Sequence, residues 1–172
     1  FNGLFPPGKK DSQLSAVVLK NLLEAHVQVY HALKKMENGL HAKIGLVKNI
    51  NQFDPWRRWH ILDWLICNFA NQFFNRCTID FLRTGILRIR IPGLAWIYHK
   101  NMDAVNSTDF FGLNYYSHNH LKMQYSLKEP FSLQYPDKDT MTDMQYTIYG
   151  EGMYRAIQSV SALDVPIMIT EN

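Results

Sequence analysis

The hydrophobic positions of this chain follow a helical period in three segments. Apolar side chains recur at steps of three and four residues over 11–36, 56–82 and 150–163, which is the spacing of an amphipathic α-helix. Gly39 and Gly85 stand where the first two segments should end, because glycine accepts the left-handed backbone that closes many helices. We therefore predict three helices, and the third is short.

Between the predicted helices lie short, almost continuously apolar runs at 43–47, 109–116 and 166–170. Runs of this length without alternation are typical of strands that are buried on both faces. The order helix, strand, helix, strand, helix, strand predicts an α/β fold in which helices cover parallel strands. Both a doubly wound sheet and part of a β/α barrel fit that order.

Two segments lack a clear period. Residues 86–108 are interrupted by a Pro-Gly pair, and we expect loop and short elements there. Residues 117–144 contain Pro130 and Pro136, and we expect them to form an extended surface loop.

The composition narrows the class of protein. The chain has 172 residues, of which 47% are hydrophobic, so it can bury a core of ordinary size as a single domain. Its net charge of +3 comes from dispersed basic pairs rather than from a stripe, which argues against a nucleic-acid partner. No apolar run approaches the roughly 20 residues that a membrane span needs, so we expect no membrane partner.

The cysteines and the amino terminus bear on location. Cys67 and Cys77 lie in or beside the aromatic-rich second helix. Two buried thiols fit a reducing compartment better than a disulfide framework, which favours the cytoplasm, although one bridge between them stays open. Residues 1–8 contain no secretion signal, and without an initiator methionine we expect the amino terminus of the protein to lie upstream.

Polar residues follow each of the apolar runs. In parallel β/α folds the functional groups lie at the carboxyl ends of the strands, so these residues are the candidates for chemistry. A single polar strand end has an ordinary structural explanation, whereas three ends at one face would form a pocket. The candidates are Asn49, then Asn114, Tyr115 and Tyr116, and finally Glu171 and Asn172.

Other chemistry receives less support. His118 and His120 are two residues apart and would share one face of a strand, as a metal pair could. No third ligand of clear spacing accompanies them, so we interpret them as loop histidines and expect no metal. The sequence also lacks the glycine spacing of a phosphate-binding loop, and we expect no cofactor.

Several motifs make the chain similar to a known enzyme family. Residues 166–172 read P-I-M-I-T-E-N and resemble the P-I-x-I-T-E-N-G signature of glycoside hydrolase family 1. Residues 109–116 are similar to that family's D-F-x-G-L-N-Y-Y strand, and residues 148–152 to its I-Y-P-E-G turn. The F-P-P-G of 5–8, with the L-L-E-A-H of 22–26, resembles the stretch after the family's acid/base carboxylate. The resemblance spans essentially the whole chain in the right order.

The resemblance implies a (β/α)8 TIM barrel, of which residues 1–172 supply about strands five to seven as a domain incomplete at both ends. It implies hydrolysis of O-glycosidic bonds in a β-glycoside or oligosaccharide by a retaining, double-displacement mechanism. Carried over by position, Glu171 is the catalytic nucleophile, Tyr116 donates a hydrogen bond to it, and Asn114 helps to orient the sugar or the acid/base carboxylate. The remaining barrel segments of the same protein are the expected partners.

The chain also departs from the family pattern. Family members carry the acid/base carboxylate in an N-E-P motif, which does not occur in these 172 residues. We therefore expect the chain alone to be inactive. Tyr146 stands where tryptophan is common and Gly150 where proline is common, and we interpret Glu151 as a helix-start carboxylate favoured by the helix dipole.

Two functions of different classes stay open at this point. The chain is part of a retaining β-glycosidase similar to a β-glucosidase, or it is a non-catalytic barrel remnant or pseudoenzyme that binds sugar or a protein partner. An N-E-P segment upstream of Phe1 would distinguish them.

Overall fold

A computed structural model describes residues 8–126, 130–135, 141–144 and 146–172 of the chain. They belong to two units, one made of residues 1–44 and 77–109 and the other of residues 45–76 and 110–172. The F-P-P of the family resemblance and parts of the expected 117–144 loop lie outside the described residues. No helix within the described ranges is long and apolar enough to cross a membrane. The expectation of a single domain stays a prediction.

The first unit is built on helix α1 (Ser12–Lys34). Asp11 caps this helix, because its carboxylate accepts a hydrogen bond from the backbone N–H of Leu14 at 2.9 Å. That bond satisfies one of the donors that every helix start leaves unpaired. The predicted helix at 11–36 is therefore confirmed with slightly shorter bounds. Its buried face consists of Ala16, Leu23, Val27 and Tyr30.

The predicted role of Gly85 as a helix end is also confirmed. It follows helix α3 (Cys77–Thr84), where its N–H donates to the carbonyl of Phe81 at 2.8 Å. Its φ of +71° lies in the left-handed region, and a Cβ there would lie 2.6 Å from the carbonyl oxygen of Asn101. Both facts restrict the position to glycine.

Residues 86–108 are more regular than we expected. Strands β3 (Ile86–Ile91) and β4 (Ala95–Lys100) form an antiparallel hairpin, and the Pro-Gly pair lies in its turn. In β3 the buried Leu87 and Ile89 alternate with exposed arginines. The proline had suggested an interruption, whereas it marks the tip of a hairpin.

The second unit contains the predicted parallel strands. They are β1 (Gly45–Asn49), β5 (Phe110–Asn114) and β8 (Ile167–Glu171), which pair in the order β1-β5-β8 with every pairing parallel. Phe111 and Leu113 of the central strand are completely buried. The prediction of three parallel strands from the apolar runs is confirmed.

A second sheet contradicts part of the loop expected at 117–144. Strand β2 (Gln52–Pro55) pairs in parallel with β6 (His118–Met123), and β6 pairs antiparallel with β7 (Phe131–Gln134). The loop prediction was therefore wrong for these two segments. Their stability comes from backbone pairing with distant strands, which leaves no period in the local sequence.

The second predicted helix is shorter and less uniform than 56–82. Helix α2 (Ile61–Asn71) packs on β2 and β6 and runs into a π-helical turn, Gln72–Arg76, before α3 begins. In that turn the side chain of Asn75 is buried. It accepts a hydrogen bond from the backbone N–H of Asn51 at 3.2 Å and donates one to the backbone carbonyl of Asn51 at 2.7 Å. The turn thereby fixes the junction between β1 and β2.

The last predicted helix is confirmed as α4 (Gly150–Val160), followed by a short 3-10 turn (Ser161–Leu163). It packs against β2.

Candidate active site

Three strand-end residues lie in a row across the parallel sheet. Asn114 is the register partner of Asn49 on one side and of Glu171 on the other. The structure therefore brings these polar ends together at one edge of the sheet, as the parallel order predicted. Glu171 is exposed at that edge, and Asn49 and Asn114 are half-buried.

A β-bulge determines which residue faces Asn114. Leu113 pairs with Ile169, but Asn114 pairs with Glu171, so Thr170 is the extra residue in β8. Bulges re-aim side chains and are frequent beside active sites. The Thr170 hydroxyl also donates a hydrogen bond to Oδ1 of Asn114, which orients the amide. Sequence reasoning missed this role, although Thr170 belongs to the recognised motif.

The backbone around Glu171 is tied to the segment after β5. The N–H of Tyr115 donates to the carbonyl of Glu171 at 3.1 Å, and the side-chain amide of Asn172 donates to the carbonyl of Tyr115 at 2.9 Å. The side chain of Tyr115 is itself buried, and this burial raises its pKa to about 12. Tyr115 and Asn172 therefore hold the strand end in place, and Glu171 is positioned by main-chain bonds.

Tyr116 lies at the same strand ends, but without the contact that we expected. Its ring stacks on Tyr146, with centroids 5.8 Å apart and planes at 30°. Within the described part of the chain, no hydrogen bond joins the Tyr116 hydroxyl to the Glu171 carboxylate. The role of Tyr116 as a hydrogen-bond donor to Glu171 therefore stays a prediction. The ring neighbour of Tyr116 is Tyr146, which the sequence analysis noted only as a departure from the family pattern.

Asn49 carries an unused acceptor. Its Oδ1 is buried, and no partner for it occurs among the residues that the structure describes. Buried polar atoms are nearly always hydrogen-bonded in folded proteins, so such an atom at a candidate site suits a ligand hydroxyl.

A charged cluster lies just beyond these strand ends. Arg155 of α4 donates to both carboxylate oxygens of Asp54, at 2.6 and 3.1 Å, and His118 Nε2 lies 2.8 Å from Asp54 Oδ2. The hydrogen bond from His118, reinforced by Arg155, holds the pKa of Asp54 well below its usual range. Asp54 thus stays ionised and joins β2, β6 and α4.

The two histidines share a face of β6, as their spacing predicted. The rings of His118 and His120 are 4.2 Å apart, and the ring of His118 also stacks on Tyr149 at 4.1 Å. Burial lowers the pKa of His120, and the charge of neighbouring His118 adds to that effect. Among the described residues, no three His, Cys, Asp or Glu side chains group as metal ligands.

The remaining glutamates have other surroundings. Glu24 accepts hydrogen bonds from Asn101 and lies 2.7 Å from His99 Nε2, contacts that link α1 to the end of β4. Glu151 is exposed in the first turn of α4, as expected for a helix-start carboxylate, and Glu37 is exposed after α1. Glu129 lies outside the described residues. Of the described glutamates, only Glu171 ends a strand of the parallel sheet.

The amino-acid sequence matches the model of glycosyl hydrolase family 1 over residues 1–172. It is 28% identical to a 1,4-beta-D-glucan glucohydrolase of Thermotoga neapolitana over 99% of the chain and 41% of that protein. It is also 28% identical to beta-glucosidase A of Thermotoga maritima, over 99% of the chain and 39% of that protein. The chain thus spans about two fifths of the length of these relatives.

Solved structures show the same relationship. A beta-glycosidase from Pyrococcus horikoshii superposes with a TM-score of 0.77 at 27% identity and covers 99% of this chain and 38% of its own. A beta-glucosidase from Exiguobacterium marinum superposes with a TM-score of 0.79 at 22% identity, over 99% of this chain and 41% of its own. The predicted fold is thereby confirmed as part of a (β/α)8 TIM barrel, in which β1, β5 and β8 are about strands five to seven. With a family match along its whole length, the chain belongs to glycosyl hydrolase family 1.

Proposed function

We propose that the protein containing this chain is a retaining β-glycosidase, similar to a β-glucosidase, in which Glu171 is the nucleophile. The observation that carries the proposal is the row of Asn49, Asn114 and Glu171 at the carboxyl ends of three parallel strands. Catalytic groups of β/α barrels lie at these ends, and the bulge at Thr170 places Glu171 in register with Asn114, which is itself the register partner of Asn49.

In this mechanism a carboxylate oxygen of Glu171 attacks the anomeric carbon while the bond from that carbon to the leaving oxygen breaks. The leaving oxygen takes a proton from a second carboxylic acid, held about 5–5.5 Å from the first in retaining enzymes. Water then attacks the glycosyl ester, gives its proton to the second carboxylate, and releases the sugar and free Glu171. The second carboxylate belongs to the remaining barrel segments of the protein.

The neighbouring amides have distinct roles in the proposal. The Thr170 hydroxyl already donates a hydrogen bond to Oδ1 of Asn114. The NH2 group of Asn114 is therefore the part of that side chain that can donate to a sugar hydroxyl or to the acid/base carboxylate. The buried Oδ1 of Asn49 can accept from a sugar hydroxyl. The hydroxyl of Tyr116 donates to Glu171 once substrate is bound, since catalytic hydrogen bonds often tighten only in the complex.

The names of the Thermotoga relatives suggest the substrate class. One is a 1,4-beta-D-glucan glucohydrolase and another a beta-glucosidase. We infer that this protein cleaves β-linked glucosides, including short oligosaccharides, without a metal or cofactor.

The test compares Glu171→Gln with Glu151→Gln in the full-length protein. The assay uses an aryl β-glucoside, and also a 2-deoxy-2-fluoro β-glucoside with a good leaving group, whose ester hydrolyses slowly. Glu171→Gln should abolish turnover and the covalent adduct, because a neutral amide cannot form the ester. Glu151→Gln makes the same chemical change at an exposed helix start and should leave both unchanged.

Two results would contradict the proposal. A trapped sugar on a peptide that lacks Glu171 would move the nucleophile elsewhere. A folded full-length protein that binds glucose-like ligands but hydrolyses no glycoside would favour the alternative of a non-catalytic, sugar-binding barrel.

A further inference from the structure

Two histidine rings are enclosed within the sheet formed by β2, β6 and β7. The side chain of His118 is 7% exposed, and its ring lies between that of Tyr149, with centroids 4.1 Å apart, and that of His120, with centroids 4.2 Å apart. The ring of His120 also meets the ring of Trp56 edge-on, with centroids 5.8 Å apart. His118 donates a hydrogen bond from Nε2 to Asp54 at 2.8 Å, whereas the hydrogen bonding of His120 is incomplete.

The Nδ1 atom of His120 is the incomplete part. It is buried, and it has no hydrogen-bond partner within the part of the chain that the structure describes. Because the surrounding residues already close it off from solvent, segments outside this chain cannot reach it without displacing them. A neutral imidazole can keep its proton on Nε2 and leave Nδ1 bare, but an imidazolium carries N–H groups on both nitrogens. Protonation of His120 in the closed sheet therefore creates a buried donor without an acceptor, which is unfavourable.

The charges around His120 add to this effect. The nearby carboxylate is that of Asp54 on β2, and both of its oxygens already accept hydrogen bonds from Arg155 of α4, while His118 bonds to one of them. Burial is the largest cause of the lowered pKa of His120, and repulsion from His118 lowers that pKa further. The attraction of Asp54 opposes these two causes, and repulsion from Arg58, in the segment after β2, adds to them.

The other elements packed on β6 supply no free carboxylate among their described residues. Helix α2 contributes Asp63, which is paired with Arg57, and the thiol of Cys67, which stays neutral because burial raises its pKa to about 12. Strand β7 (Phe131–Gln134), on the other edge of β6, has no titratable side chain. Lys122 follows two residues after His120 on β6 and adds a positive charge on the same strand face. A charged His120 thus gains no counter-ion that is not already engaged.

The position of His120 couples its charge to the sheet. Its backbone is in register with Asp54 of β2 on one side and with Gln134 of β7 on the other. The sheet begins directly after the strand ends of the candidate active site, where Ile50 N–H donates to the carbonyl of Asn114 at 2.9 Å. Opening the pairing of β2 with β6 would expose the ring of His120 to water, which can accept from both N–H groups.

We propose that the pairing of β2 with β6 is an acid-sensitive element, which is closed while His120 is neutral and opens reversibly when His120 takes up a proton. In this step one proton adds to the lone pair of the bare ring nitrogen, and no covalent bond breaks. The inference goes beyond the proposed function and does not depend on it.

The direction of the pH dependence follows from linkage. An exposed histidine titrates near about 6.5, and the closed sheet binds the proton more weakly than the open one. The closed state is therefore fully favoured above that value and loses its advantage as the pH falls toward the pKa of the closed state. Between pH 7 and pH 5 one such histidine can raise the opening equilibrium constant by at most about 25-fold.

The experiment is amide hydrogen exchange of the full-length protein at pH 7 and pH 5, followed by mass spectrometry of peptides and corrected for the intrinsic pH dependence of exchange. In the wild type the corrected exchange of β6 should rise at pH 5, up to the 25-fold limit, while that of the hairpin of β3 and β4 in the other unit stays the same. His120→Gln is polar but cannot become charged, and His120→Phe keeps a ring beside Trp56. Both should abolish the rise, whereas His41→Gln, at an exposed histidine of the other unit, should behave as the wild type.

The readout is the ratio of the two corrected rates within each variant, so a variant that is merely less stable at both pH values does not imitate the result. Equal protection of β6 at pH 7 and pH 5 in the wild type would overturn the proposal. An undiminished rise in His120→Gln and His120→Phe would assign the opening to another group and would overturn it as well, as would an equal loss of protection in the hairpin of β3 and β4. A full-length protein that hydrolyses no glycoside contradicts the proposed function but leaves this measurement intact.

Discussion

Replacing Asp63 by asparagine tests how the second unit is held together. The two carboxylate oxygens divide their donors unequally. Oδ2 accepts hydrogen bonds from the backbone N–H of Arg57 at 3.1 Å and from its Nε–H at 2.9 Å. Oδ1 has three partners, which are His60 Nδ1, Arg57 Nη2 and the backbone N–H of Met123. An asparagine has one acceptor oxygen, so its best orientation keeps that oxygen at the Oδ1 position and turns an NH2 group toward the two Arg57 donors.

The expected cost follows from this geometry. The side chain of Asp63 is completely buried, and the substitution removes its charge together with at least the two hydrogen bonds at Oδ2. The charge left behind belongs to Arg57, whose side chain is 23% exposed, so the cost is that of donors left without an acceptor, about 1–3 kcal/mol. We therefore expect Asp63→Asn to lower the free energy of unfolding by an amount in that range. Asp164→Asn makes the same change at an exposed left-handed position, which asparagine tolerates, and should cost little.

The loss should also depend on pH. Hydrogen bonds from Arg57 hold the pKa of Asp63 far below its usual range, whereas an aspartate in the unfolded chain titrates near about 3.9. A depressed carboxyl pKa gives stability that is fully present above that value and is lost as the pH falls through the folded pKa. The difference between wild type and Asp63→Asn should thus be constant from pH 7 to 5 and shrink below about pH 4.

The assay is urea unfolding of the full-length protein at several pH values, with amide hydrogen exchange to locate the effect. Protection of the Met123 amide, which donates to Asp63, should fall in the variant. A loss below about 1 kcal/mol, the size of an exposed pair, with unchanged Met123 protection would refute the reasoning.

Two further predictions concern packing. Gly152→Ala should lower the free energy of unfolding by about 1–3 kcal/mol, because the new Cβ would overlap the Tyr115 hydroxyl and lie 2.6 Å from Tyr115 Cζ. The control Gly150→Ala meets open space and should be tolerated. Equal denaturant midpoints for the two variants would contradict this prediction. Burial raises the pKa of the Cys67 thiol to about 12, so iodoacetamide at pH 8 should leave Cys67 unmodified in the native protein and alkylate it after denaturation. Peptide mass spectrometry measures the extent of alkylation, and rapid labelling of the native protein would refute the burial of Cys67.

Local patterns in the sequence were enough to predict several elements. The 3.6-residue period identified α1, and Asp11 and Gly85 act at helix ends as their chemistry predicts. Uninterrupted apolar runs identified β1, β5 and β8. Burial on both faces explains the run in β5, whereas Met168 and Ile169 of β8 are exposed. Their parallel order was enough to bring Asn114 and Glu171 to one edge of the sheet.

Tertiary structure alone decided the rest. The bulge at Thr170 depends on how β8 pairs with β5, and β6 is a strand because β2 lies beside it. Asp63, which the sequence presents as an ordinary helix residue, became a buried anchor when folding brought Met123 to it, 60 residues away along the chain. Pairings and hydrogen bonds of this kind join residues that are distant in sequence, so no periodicity or spacing within either segment could specify them.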